Sequence, residues 1–238
     1  MHRSTIAERH ARARRGRNPL LAIVAASALS AAVAACNVSD STTPGTTLSL
    51  SRSSGDSQTV LAGVHTAPLV VKVTDGATPK AGVMVHWTTP NAGVTFNPDS
   101  SASDANGLAQ TIVMSQKAAT DTVRANTTNA IIGFIVKIVA DSNTGALFAA
   151  GGNGSATLVG IGVTLTVKSA DAFGNARPNI TVNFAIDAGG GVLSKTTVTT
   201  DASGQATTVF TPGPTAGTYS VRATATNFAP ITFTVSAI

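Results

Sequence analysis

The 238-residue chain is poorest in the groups that carry out chemistry: one cysteine (Cys36), one tryptophan (Trp87), one tyrosine (Tyr219), four histidines and no glutamate after Glu8. A single cysteine excludes an intrachain disulfide, so an exported domain of this sequence has to be held together by its core. Acid–base and nucleophilic catalysis need a base within hydrogen-bond reach of the reacting group, and beyond position 10 only His65 and His86 remain of the histidines. Basic charge is missing where a nucleic-acid binder would need it. Six of the 16 Lys and Arg residues, namely Arg3, Arg9, Arg12, Arg14, Arg15 and Arg17, fall in the first 35 positions beside one of the 11 acids, which leaves ten bases and ten acids in residues 36–238. A neutral chain with scattered single charges has no surface for neutralising phosphates, so nucleic acid is not an expected partner.

The basic stretch to Asn18 and Pro19 is followed by an uncharged run, residues 20–35, dominated by Ala, Leu, Val and Ile. This is the pattern of a secretory signal, and it falls short of the roughly 20 apolar residues that a membrane-spanning helix needs. The run ends in Val33-Ala34-Ala35-Cys36, which resembles the lipobox of bacterial lipoproteins. The resemblance implies removal of residues 1–35, acylation of the Cys36 thiol, and a mature chain anchored in a membrane through Cys36. At about 0.8 kcal/mol per buried CH₂, two or three acyl chains suffice for lasting anchorage where one would not. Asn37 in place of Asp after the cysteine resembles the signal for release to the outer membrane, so the expected place is the bacterial cell envelope, at the outer membrane or cell surface. The alternative is an ordinary secretory signal with an unrelated cysteine. Residues 36–46 are rich in Ser, Thr, Asp, Pro and Gly, the composition of a flexible tether; ten such residues reach at most ~35 Å.

Beyond the tether the chain repeats. Asp104-Ala105-Asn106-Gly107 returns as Asp201-Ala202-Ser203-Gly204, and Val83, Val85 and Trp87 return as Ile180, Val182 and Phe184, both at a shift of 97. The same shift aligns Phe134, Val136 and Ile138 with Ile231, Phe233 and Val235. A period this long means tandem whole domains, expected over 47–141 and 145–238. Within each copy apolar residues alternate, as in Leu69, Val71 and Val73, between turn formers such as Asp75-Gly76 and Gly174-Asn175. That is strand periodicity with one face buried. About seven strands per copy indicate an all-β chain of two immunoglobulin-like antiparallel sandwiches, with Trp87 and Phe184 as core aromatics.

The segments Asp171-Ala172-Phe173-Gly174-Asn175, Ile180-Thr181-Val182-Asn183-Phe184, Thr200-Asp201-Ala202-Ser203-Gly204 and Ala216-Gly217-Thr218-Tyr219-Ser220-Val221 resemble bacterial Ig-like domains of the Big-1 group, found in the stalks of invasin and intimin-like adhesins. The first copy departs from that pattern where Asp121 stands in place of Tyr219. The resemblance implies architecture and transfers no ligand-binding residue.

Asp75, Asp104, Asp171 and Asp201 each open a glycine-containing turn, where an Asp side chain caps local N–H groups. They form no cluster of the kind calcium requires, and two isolated histidines do not make a zinc site. No catalytic residue, metal or cofactor is therefore expected. The function this composition supports is a non-enzymatic surface stalk or adhesion module, anchored to a membrane and open to a protein or glycan ligand; the alternative is a carbohydrate-binding accessory module. Two residues stand out: Phe173 and Phe228 sit in loops that the first copy fills without aromatics. Interdomain packing is one expectation for them, and burial in their own domain is the other.

Overall fold

The computed structural model describes residues 47–238. Alternating burial builds ten strands from the first copy: β1 (Leu48–Ser54), β2 (Gln58–Leu61), β3 (Leu69–Asp75), β4 (Thr78–Pro79), β5 (Met84–Thr88), β6 (Val94–Asn97), β7 (Ser100–Ala102), β8 (Leu108–Ser115), β9 (Ala119–Asn126) and β10 (Ile131–Val139). The second copy builds nine: β11 (Ala146–Gly151), β12 (Ser155–Thr157), β13 (Val163–Ala170), β14 (Thr181–Ala188), β15 (Val192–Leu193), β16 (Thr197–Thr199), β17 (Gln205–Thr211), β18 (Gly217–Thr224) and β19 (Ile231–Ala237).

In the first sandwich one sheet runs β1-β3-β8-β6, with β4 hairpinned onto β3, and faces a second sheet ordered β2-β10-β9-β5-β7. The second sandwich repeats this as β11-β13-β17-β15 against β12-β19-β18-β14-β16. The strands outnumber the seven expected per copy because the first strand is split between the sheets and several short segments pair at the edges. The split occurs at glycine. Gly55 (φ +88°) approaches so closely that a Cβ would lie 2.3 Å from the Pro68 carbonyl oxygen, and Gly152 (φ +84°) stands at the same distance from that of Thr164. A side chain there would be excluded by both contact and conformation, and the chain uses the bend to pass from antiparallel pairing on one sheet to parallel pairing on the other.

Each sandwich has its own core. Leu69, Val71, Val73, Trp87, Val113, Val123, Phe134 and Val136 fill the first, and Leu165, Val167, Phe184, Phe210, Tyr219, Val221, Phe233 and Val235 fill the second. Strand pairing corrects the repeat alignment at the last strand. Phe134 lies opposite Val123 while Phe233, not Ile231, lies opposite the equivalent Val221. The shift there is 99, and two residues of difference preserve the face, so alternation alone could not detect it.

Where the first core is built on Trp87 tilted against Phe134 (centroids 6.0 Å), the second pairs Phe210 with Tyr219 (5.8 Å). The Tyr219 hydroxyl donates to the carbonyls of Thr215 (2.5 Å) and Gly213 (3.3 Å), tying the strand start to the chain just before it. Tyr219→Phe is expected to lower the stability of the second sandwich by about 1 kcal/mol, measured by denaturant unfolding, with the ring retained and only the hydroxyl bonds lost. In the first sandwich Asp121 occupies this corner. It is buried, it accepts from the Asn91 side-chain amide through Oδ1, and no described residue partners its Oδ2.

Candidate functional site at the joint of the sandwiches

The turn after β13, Asp171-Ala172-Phe173-Gly174-Asn175, is organised by one carboxylate. Asp171 Oδ1 accepts the backbone N–H groups of Phe173 and Asn175, both at 2.9 Å. Its Oδ2 accepts the Asp141 N–H at 2.9 Å and the Asn175 side-chain amide at 2.8 Å. Asp171 is 4% exposed. Burial alone would raise its pKa, but the Asn175 amide and the N–H groups of Asp141, Asn175 and Phe173 outweigh it and hold the carboxyl below its ordinary value.

Asn175 carries the bonding across to the first sandwich. Its Nδ2 donates to the Gln116 carbonyl and its Oδ1 accepts the Ala118 N–H, both at 2.8 Å. One amide thus links the Asp171 turn to the loop between β8 and β9. The intervening linker is tied down as well. Asp141 accepts from the Asn143 N–H and the Thr144 hydroxyl, both at 2.9 Å, and the Arg177 guanidinium donates to the carbonyls of Thr144 (3.0 Å) and Ser142 (3.2 Å).

The two phenylalanines take different places. The Phe173 ring covers Gly63 of the first sandwich: a Cβ added to Gly63 would lie 2.8 Å from the ring Cζ. Phe228 packs against the core of its own sandwich, with Arg177 over its ring at 4.8 Å from the centroid. The physical reason is proximity, since Phe228 borders Arg177 and Gly145 at the start of the second copy, whereas the Phe173 turn points at the first. Two clefts flank Arg177, one of about 610 Å³ lined by Lys137, Ile138, Pro178 and Ile180, the other of about 490 Å³ lined by Asn143, Asn179, Thr226 and Asn227.

Of the other turn aspartates, Asp104 accepts the N–H groups of Asn106 and Leu108 (2.8 Å each), and Asp201 accepts those of Ser203 (2.8 Å) and Gln205 (3.0 Å). Asp75 differs in facing Lys80 at 3.8 Å. His86 is exposed and bonded to Ser100 Oγ at 2.9 Å, and His65 is exposed in a loop. Among the described residues no group of three or more His, Cys, Asp and Glu is placed to hold a metal ion. Val33, Ala34, Ala35 and Cys36 lie outside the described residues. In the sequence Asn175 is legible only as a turn former; its bonds to Gln116 and Ala118 join residues 59 and 57 positions apart, and no local spacing announces them.

Residues 149–238 match the bacterial Ig-like domain (group 1). No curated protein matches the chain. Solved structures similar to it include the D00-D0 domain of intimin, at 18% identity and a TM-score of 0.42, covering 78% of this chain and 98% of that one. InvD of Yersinia pseudotuberculosis matches at 17% identity and 0.47, over 80% of this chain and 57% of that one. The Escherichia coli adhesin FdeC matches at 18% and 0.42, over 79% and 63% respectively.

Proposed function

We propose that the chain is a non-enzymatic lipoprotein of the bacterial cell envelope, held by acyl chains on Cys36 and carrying two Ig-like domains, 47–141 and 145–238, as a surface stalk or adhesion module. The joint is the observation that carries this reading. A stalk has to transmit position from its anchor to its tip, and the joint supplies a buried carboxylate, a bridging amide and an aromatic seat that hold the sandwiches in series. Phe173 and the Asp171 network are assigned to that role, while Phe228 acts within its own sandwich.

The match of residues 149–238 to a bacterial Ig-like group supports the same reading. A glycan-binding module relies on exposed aromatic platforms, but Trp87 and Tyr219 are core residues, and the large exposed aromatics among the described residues are Phe148 and Phe173. Residues 36–46 act as the tether that separates the first sandwich from the membrane. Metabolic labelling with palmitate tests the anchor: the wild type is expected to take up label and fractionate with membranes, and Cys36→Ser to do neither. Equal partition of the two proteins would refute the lipoprotein assignment.

A further inference from the structure

Matching hydrogen bonds identify equivalent residues just before β5 and β14. The Ser103 hydroxyl donates to the Lys80 carbonyl (2.7 Å) and accepts the Val83 N–H (3.0 Å); the Thr200 hydroxyl donates to the Arg177 carbonyl (2.8 Å) and accepts the Ile180 N–H (2.9 Å). The Gly82 N–H donates to the Ser103 carbonyl at 2.8 Å, and the Asn179 N–H to that of Thr200 at 2.9 Å. Lys80 thus corresponds to Arg177, and Gly82 to Asn179. Lys80 faces Asp75 at 3.8 Å, whereas Arg177 meets the Ser142 and Thr144 carbonyls and the Phe228 ring, with no carboxylate partner among the described residues. Gly82 has φ +75°; Asn179 holds the same left-handed turn at +63°, a conformation that a glycine adopts more freely. Asn227 is left-handed as well, at +66°. Of the three described non-glycine residues with positive φ, Asn179 and Asn227 therefore line one cleft, a clustering of backbone strain that marks functional sites.

This is the cleft of about 490 Å³ beside Arg177, and no acidic residue lines it. The side-chain amides of Asn143, Asn179 and Asn227 and the hydroxyls of Thr181 and Thr226 line it without a protein partner among the described residues. We propose that the cleft binds a carboxylated sugar unit of a glycan. The guanidinium keeps N–H groups beyond those given to the two carbonyls, and its charge is not neutralised within the protein, so a carboxylate is its complement. Each carboxamide and hydroxyl both donates and accepts, as does each sugar hydroxyl, so the remaining lining suits a polyhydroxylated ring. An acidic peptide fits less well, since it would also present apolar side chains, and Ile180 and Phe228 are the only apolar side chains of the lining. One face of the Phe228 ring is already taken by Arg177. Charge and amides do the holding, so the cleft needs no aromatic platform of the kind on which neutral glycans stack.

This inference deepens the adhesion-module reading and rests on it only for the biological setting. Its test uses purified full-length chain and is indifferent to acylation of Cys36, so either can fail without the other. Trigalacturonate and 3′-sialyllactose are titrated by NMR beside their neutral counterparts, galactotriose and lactose, and beside a capped triglutamate peptide. At least one acidic saccharide is expected to bind with a Kd below about 1 mM, shifting amides of 142–145, 179–181 and 226–228, and its neutral counterpart at least about tenfold more weakly. The variant that separates binding from folding is Asn179→Gly with Asn227→Gly. Glycine takes both left-handed conformations without strain, as Gly82 shows in the first sandwich, so the unfolding midpoint stays close to that of the wild type while two amides leave the cleft. Binding should fall at least about tenfold. Equal binding by wild type and variant, or by acidic and neutral saccharide, overturns the proposal. So does triglutamate binding as tightly as the acidic saccharides, which would make the cleft a peptide site, or no shift with either acidic saccharide at about 5 mM.

Discussion

Trp87→Ala lowers the unfolding free energy of the first sandwich by about 3–5 kcal/mol, the expected cost of emptying an aromatic site in a close-packed core. Trp87 is 3% exposed, lies tilted against Phe134, and donates its indole N–H to Ser101 Oγ at 3.0 Å. Truncation therefore empties the core site beside Phe134 and leaves the Ser101 hydroxyl without its donor. The loss is a large share of what one small domain has. Because the cores are separate, hydrogen exchange should accelerate across β3, β5, β9 and β10 and leave the second sandwich nearly unchanged. Trp87→Phe is expected to cost less, since Phe184 fills the equivalent place in the second copy. A measured loss below about 1 kcal/mol for the alanine variant would contradict the core assignment.

Asp171→Ala frees the joint. The substitution strips acceptors from the backbone N–H groups of Asp141, Phe173 and Asn175 at once and releases the Asn175 side chain that bridges to Gln116 and Ala118. A loss of about 2–3 kcal/mol in the second sandwich is expected, together with small-angle scattering that reports a broader spread of orientations between the sandwiches. The pH dependence has a definite sign. The folded-state pKa of Asp171 lies below its ordinary value of 3.8, so its contribution is complete above that pH and is lost as the pH falls through the lower, folded value. The wild-type joint should accordingly loosen only on the acid side of 3.8, and this step should be absent from Asp171→Ala. Identical scattering profiles for the two proteins at neutral pH would show that the carboxylate does not hold the joint.

The sequence by itself determined the all-β class, the alternation that buries Leu69, Val71 and Val73, the core places of Trp87 and Phe184, and the turns closed by Asp104 and Asp201. These features are local: side chains alternate within a strand, and an aspartate reaches N–H groups two and four residues ahead. Only the tertiary structure decided the rest. Asn175 bonds Ala118 and Gln116, 57 and 59 positions away, and no spacing rule in one chain announces such a pair. Phe173 and Phe228 are alike as residues in loops; what separates them is that one turn ends against Gly63 while the other lies beside Arg177. The register of β19 was hidden for a related reason, since a slip of two residues keeps every side chain on its face and only cross-strand pairing can reveal it. Burial is written along the chain by a period of two, whereas a joint depends on which surfaces meet once the strands have folded, and that is fixed by packing across the whole molecule.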